Sequence, residues 1–188
     1  MIMTQDFLNH QFLIAMPLLA DTNFSHTVTY LCQHNEEGAL GIVFNRPSGL
    51  TLEMILGQMD IKTESEAIAN TPVYAGGPVQ QERGFIIHTG PNTWDATVQV
   101  SDETYLTSSR DILEAIAADE GPKKYLVALG YAGWGEGQLE KEMADNAWLN
   151  TDYDAGILFD LPAKQRWIAA ASKLGVDIST LTTPAGHA

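Results

Sequence analysis

The chain has 188 residues, 45% of them hydrophobic, with 16 glycines and 8 prolines, enough to bury a sizeable core around one domain. Ten Lys and Arg against 24 Asp and Glu leave a net charge of −14, and this mean field repels phosphate backbones and anionic lipid heads. The basic residues are scattered, only Lys123 and Lys124 being adjacent, and they form no aromatic-interleaved stripe, which argues against direct nucleic-acid binding.

Cys32 is the sole cysteine, so an internal disulfide and a multi-cysteine metal site are both excluded and a reducing compartment is expected. The apolar run 12–20 is interrupted by Pro17 and preceded by Asp6. It is too short to span a bilayer and lacks the basic flank of a secretion signal, so a soluble cytoplasmic protein without membrane contact is expected. No repeat and no Pro/Gly/Ser-rich linker interrupts the chain, which predicts a single domain over residues 1–188 with a tail from about residue 176.

In chain order, residues 12–16 read as a buried strand closed by Pro17, followed by a turn at residues 21–24. Residues 27–33 and 40–45 are β-rich and flank Asn35-Glu-Glu-Gly38, which predicts a hairpin with Gly38 as the left-handed residue of a four-residue loop. Arg46-Pro47-Ser48-Gly49 ends the second strand, and Thr51 caps a short helix in which Leu52, Ile55, Leu56 and Met59 share a face. Residues 73–75 form a strand before the turn Gly76-Gly77-Pro78, and residues 84–89 form another, carrying His88. Val98 and Val100, then residues 104–107, suggest further antiparallel pairing.

Ser108 with Asp111 resembles a capping box for a helix burying Ile112, Leu113, Ile116 and Ala117, ended by Gly121-Pro122. A strand at 125–129 leads into a glycine loop, a helix over 138–147, a strand at 157–159 and a last helix opened by Leu161-Pro162. Helices alternating with hairpins and buried strands give a mixed α/β fold: a largely antiparallel sheet flanked by helices.

Chemistry concentrates at two places. With a period of two, Val28, Tyr30, Cys32 and His34 share one face of their strand. Cys32 is then either a small buried hydrophobe or a thiol activated by His34, acting as a redox sensor or a nucleophile. Glu36 and Glu37 nearby would raise a thiol pKa, and no third orienting group is evident. The second place is Gly130-Tyr-Ala-Gly-Trp-Gly-Glu-Gly-Gln-Leu-Glu140. A dinucleotide fingerprint from Gly133 would need glycine at Gln138, and a P-loop from Gly130 would need lysine at Glu136.

Two readings of that loop remain. Its glycines permit a tight strand-to-helix turn over which Trp134 packs. Alternatively, Trp134 offers a flat face beside Gln138 and the free helix amides, for a neutral or cationic small ligand or a peptide. The histidines, His10, His26, His34, His88 and His187, lack i, i+4 partners among themselves, no nucleophile elbow occurs, and Asp152-Tyr-Asp154-Ala-Gly156 fails as a calcium loop. No metal or other cofactor is expected.

Taken together, the ordered motifs resemble the AlgH/YqgE family of bacterial proteins. They are Phe12-Leu-Ile-Ala-Met-Pro17, residues 21–24, Cys32 with Gly38 and Gly41, Asn45-Arg46-Pro47, Gly76-Gly77-Pro78-Val79, Gly133-Trp134-Gly135, Gly137-Gln138-Leu139-Glu140 and Asn146-Ala147-Trp148. The resemblance runs from about residue 5 to the Ala185-Gly186-His187 tail, with Glu136 departing from the proline usual in the glycine loop. It implies a compact α/β domain, a role in transcriptional regulation and a cysteine considered reactive, and it assigns no substrate.

The chain thus reads as a non-enzymatic regulatory or binding protein gated by Cys32 oxidation, its effect on transcription indirect and its partner a protein or small ligand. The candidate contact residues are Asn45, Arg46, Gly76, Gly77, Gly133, Trp134, Gly135, Gly137 and Gln138. The alternative is a small hydrolase or transferase depending on Cys32 and His34. Hairpin and glycine loop lie about 100 residues apart, so the letters alone do not bring them together.

Overall fold

The computed structural model describes residues 7–16 and 26–175. The strands are β1 (Gln11–Ala15), β2 (Val28–Asn35), β3 (Gly38–Val43), β4 (Pro47–Thr51), β5 (Pro72–Ala75), β6 (Val79–His88), β7 (Thr97–Gln99), β8 (Tyr105–Thr107), β9 (Tyr125–Trp134) and β10 (Trp148–Asp152). The helices are α1 (Leu52–Gln58), α2 (Glu66–Ala69), α3 (Arg110–Ala117), α4 (Gln138–Ala144) and α5 (Ala163–Ser172), with a π-helical turn at Gly156–Asp160. One mixed, largely antiparallel sheet runs in the order β10-β1-β2-β3-β9-β6-β8-β7. β5 lies parallel to β9 and pairs antiparallel with β4.

Strand alternation sorts the core to the two faces of the sheet. Phe12 and Ile14, Tyr30, Phe44, Phe85 and Ile87 pack with Trp167 of α5. The intervening Ile86, with Val127, meets Leu52 and Leu56 of α1 and Ile112 and Ile116 of α3. Leu13, Leu31 and Ala132 close a third cluster with Leu139 and Trp148. Each such side chain removed from water contributes roughly 1.5–3 kcal/mol, which is why the period-two and period-3.6 patterns decide where each element lies. α5 is further fixed by Trp167, whose Nε1 donates to the Ala15 carbonyl at 3.1 Å, and by buried Arg166, which donates to the carbonyls of Phe44 and Leu161.

β9 is the hub. Its first half is flanked by β5 and β6, and beyond Gly130 the β5 flank passes to β3, with Ala39 opposite Trp134 and Gly41 opposite Ala132. The Gly76-Gly77 link crosses at this handover: the Gly76 carbonyl accepts from Val43 N, and Gly76 N donates to the Leu129 carbonyl. A Cβ on Gly76 would stand 2.4 Å from the Gly130 carbonyl oxygen, and one on Gly77, at φ +155°, 2.1 Å from Tyr131 backbone. Glycine is therefore required by backbone approach, with no turn residue to substitute for it.

Several expectations change. The hairpin loop is only Glu36-Glu37, and Gly38 is needed because a Cβ there would meet the Trp134 carbonyl at 2.2 Å. The strand expected to stop at Leu129 continues to Trp134, since residues 132–134 find β3 as a partner. Helix α4 ends at Ala144, and residues 148–152 form β10 against β1, while residues 157–159 lie in the π-helical turn. Both β4 and α2, the latter capped by Ser65 accepting from Ile68 N, went unread in the sequence. The α3 N-cap is Ser109, without a side-chain cap bond, so the Ser108 capping box does not form. Pro17, the turn at residues 21–24 and the tail from residue 176 lie outside the described residues.

Gly77→Ala should lower the urea-unfolding free energy by more than about 2 kcal/mol, because backbone must move to admit the methyl group. Gly57→Ala, in α1 where nothing lies within 4 Å of an added Cβ, should raise it by about 0.5–1 kcal/mol.

Candidate functional site

A β-bulge decides the relation of the two residues proposed to act as a pair. Leu31 pairs with Gly41 but Gln33 pairs with Leu40, which leaves Cys32 as the extra residue on β2. Cys32 therefore keeps the side of Tyr30 and packs in the cluster with Phe85 and Leu106. His34, paired with Ala39, turns to the other side, toward Leu8 and Glu140. Its Nδ1 accepts from Leu8 N at 2.9 Å, its Nε2 lies 3.4 Å from Glu140 Oε1, and Phe7 meets the ring edge-on at 5.0 Å. His34 thus holds the N-terminal segment through Nδ1 and turns Nε2 toward Glu140 of α4, away from the thiol. Cys32 is 4% exposed, its Sγ donates to the Tyr30 carbonyl at 3.6 Å, and burial pushes its pKa far up. The geometry supports the buried-hydrophobe reading at neutral pH and opposes a resident thiolate.

The glycine segment likewise serves packing. Trp134 is 6% exposed, so it presents no open face for stacking. Its Nε1 donates to Glu142 Oε1 at 3.0 Å, and Trp148 Nε1 donates to the same oxygen at 2.9 Å. The other carboxylate oxygen accepts from Gln138 Nε2 at 2.9 Å, while Gln138 Oε1 accepts from Gly135 N at 2.9 Å. One carboxylate thus ties β9, α4 and β10 together through charge-assisted bonds. Gly137, at φ +71°, is the left-handed N-cap of α4. Asn45 is structural too: Oδ1 accepts from Val28 N and Nδ2 donates to the His26 carbonyl, both at 3.0 Å. Arg46 lines a notch of about 80 Å³ beside Gly77 and Pro78.

Hairpin and glycine strand do meet in space, because β3 pairs with β9. Where they meet, a cleft of about 470 Å³ is lined by Gln33, Asn35, Glu37, Leu40, Val79, Tyr131 and Gly133. A second recess of about 140 Å³ shares Gln33 and Leu40 with it and is floored by Cys32, Phe85 and Leu106. Tyr131 and Phe85 meet edge-to-face at 5.5 Å, one in each hollow, and Val98 on the edge strand β7 is 49% exposed at the rim. Arg83 lies over the Phe85 ring and donates to Ser108 Oγ at 3.0 Å. The arrangement offers a small apolar socket beside a polar cleft carrying Glu37.

Of the residues named from sequence, the structure brings Cys32 and Gly133 to this composite groove, with Trp134 lining the larger cleft. It places His34 and Gln138 in structural bonds elsewhere. Sequence reasoning missed Gln33, Tyr131, Phe85 and Val98 as groove residues and Glu142 as the clamp. The groove residues come from β2, β6, β7 and β9, and only the topology collects them. Glu142 carries no signal of its own in a chain with 24 acids.

Replacing Glu142 by alanine should cost roughly 1–3 kcal/mol in unfolding free energy and shift tryptophan emission, whereas exposed Glu136→Ala should change neither. Iodoacetamide should label Cys32 in the folded protein far more slowly than in urea, and faster reaction in the folded state would contradict the buried thiol.

Among the described residues no helix is long and apolar enough to cross a membrane. Residues 12–179 match the family model described as AlgH-like. The chain is 59% identical to a UPF0301 protein of Thioalkalivibrio sulfidiphilus over 179 residues, covering 95% of this chain and 96% of that one. It is 54% identical to one of Methylococcus capsulatus over 182 residues, covering 97% of each. The solution structure of the AlgH protein from Pseudomonas aeruginosa matches with a TM-score of 0.80 and 50% identity, over 99% of this chain and 100% of that one. A Corynebacterium diphtheriae protein at 16% identity and a TM-score of 0.74, over 97% of this chain and 95% of that one, shares the fold. Motifs, sheet topology and these likenesses agree that the chain belongs to the AlgH-like family.

Proposed function

We propose that this protein is a non-enzymatic cytoplasmic binding protein that docks a segment of a protein partner in the composite groove between the hairpin and β9. The observation that supports this reading is the 140 Å³ recess over Cys32, which shares Gln33 and Leu40 with the polar cleft. The partner inserts an apolar side chain between Phe85, Leu106 and Val98, and turns a neutral or cationic polar group toward Glu37 and Asn35. The net charge of −14 favours a basic or neutral segment over an acidic one. Any effect on transcription then passes through that partner, since a chain of this charge gains little from releasing counterions on DNA.

Cys32 lines the apolar recess, but burial raises its pKa and keeps it a thiol at neutral pH, so gating by oxidation would require the recess to open and admit an oxidant such as hydrogen peroxide. The rival reading, a hydrolase or transferase built on Cys32 and His34, has lost its geometric basis, because the bulge sends the two side chains to opposite sides of β2.

A peptide library displayed on phage tests the proposal. Wild type should enrich sequences with a bulky apolar residue next to Lys or Arg, and Val98→Asp should abolish that enrichment. Val98 is half-exposed on an edge strand, so the variant keeps the fold. Failure of wild type to enrich any sequence, or enrichment undiminished in Val98→Asp, would overturn the groove as a docking site.

A further inference from the structure

Away from that groove, a cavity of about 410 Å³ opens where β1 begins and β10 ends, lined by His10, Gln11, Glu103, Asp152 and Tyr153. His10 adopts φ +66°, a left-handed conformation that costs energy for an ordinary side chain and persists only where its surroundings hold it. They do so here: its backbone N–H donates to the Leu31 carbonyl at 2.9 Å and its ring stacks on Tyr153 at 4.4 Å. Nδ1 lies 2.6 Å from the Tyr30 hydroxyl, which lies 2.5 Å from Thr104 Oγ1, which in turn lies 3.0 Å from Ser101 Oγ. Nε2 has no hydrogen-bond partner among the described residues.

This chain of groups has two settings of equal charge. Burial pushes the Tyr30 pKa up, so the phenol keeps its single proton, and burial lowers that of His10, which favours neutral imidazole. If Tyr30 donates to Nδ1, then Nε2 carries the other ring proton and acts as a donor. If Nδ1–H donates to Tyr30, the hydroxyls of Tyr30 and Thr104 point away in series and Nε2 offers a lone pair to the cavity. Glu103 and Asp152 line the same cavity as His10, and their charges favour a proton on its ring. Asp152 is held in place: Gln11 Nε2 donates to its Oδ1 at 3.0 Å, and Gln11 Oε1 accepts from Asn150 Nδ2 at 3.0 Å.

From this cavity, the relay behind it and the two flanking carboxylates, we propose that the recess is a second binding site, for a small primary ammonium compound. One ammonium N–H donates to His10 Nε2, the positive charge is balanced by Glu103 and Asp152, and the carbon chain lies against Tyr153. An anionic ligand is opposed by both carboxylates, and a quaternary ammonium has no N–H for His10 to accept. The relay through Tyr30 and Thr104 lets a bound ammonium select the accepting tautomer of His10 without placing a charge in the protein interior.

The test is a titration followed by NMR on the full chain at about pH 7.5, where a histidine with a lowered pKa is neutral. The probes are n-propylammonium, tetramethylammonium and propionate, and the signals are the ring resonances of His10 and Tyr153. Propylammonium should saturate below about 50 mM and shift the His10 ring nitrogens toward the Nδ1–H tautomer, while the other two should not. The Glu103→Gln/Asp152→Asn double variant should weaken propylammonium at least about tenfold.

Tyr30→Phe should leave the cavity in place and weaken binding by roughly tenfold, without the tautomer shift. His10→Asn, a residue suited to the left-handed conformation, gives a second variant that retains the fold if Tyr30→Phe does not. Equal binding of tetramethylammonium would show that the recess reads charge alone and would overturn the role of His10. No saturation by propylammonium, or unchanged affinity in the double variant, would overturn the site. Neither result bears on peptide docking in the groove.

Discussion

The fold depends on a backbone crossing that tolerates no side chains. β9 exchanges one flanking strand for another at Gly130, and the Gly76-Gly77 link passes against it so closely that each of the three glycines would drive a Cβ into backbone. Every element that contacts β9 inherits its position from this point. The parallel β5 is held on one side of it, the antiparallel β3 on the other, and β6 runs past both. Gly38 adds a fourth close approach at the far end of the same strand. The glycines that first suggest a ligand loop are thus the means by which a single long strand joins two halves of a sheet.

That constraint has a functional corollary. Because β9 is shared, the hairpin of β2 and β3 is brought against Tyr131 and Gly133, and a groove opens at the seam. The bulge at Cys32 then determines what the groove contains. It turns Cys32 and Gln33 to the same hollow and sends His34 to the opposite side, into contact with Glu140. One inserted residue separates a thiol from an imidazole that strict alternation would have placed side by side.

Much of the architecture was legible from periodicity. The apolar faces of α1 and α3, the hairpin, β5 and the pairing of β7 with β8 follow from spacing that short-range physics enforces. The misread segments share a cause. Residues 130–134 look like a loop because glycine has low strand propensity, yet a waiting partner strand makes them extended. Residues 148–152 and 47–51 become strands for the same reason. The site was less legible still. A bulge leaves no mark in the hydrophobic pattern, and His10, Tyr30 and Thr104, which form one hydrogen-bonded chain, are separated by 20 and 74 residues. Asn45 and Trp134 stood out by letter, and inside the fold their side chains bond backbone groups and a carboxylate.

The indole clamp has an optical consequence. Trp134 and Trp148 lie with ring centroids 5.8 Å apart and planes inclined at 77°, both bound to the same carboxylate oxygen. Two strongly absorbing chromophores fixed at that distance and angle couple their transition dipoles, so their bands split into a pair of opposite circular-dichroism sign. The couplet vanishes once the rings rotate independently. The handover from β9 through α4 to β10 therefore carries its own spectroscopic gauge, readable without any label.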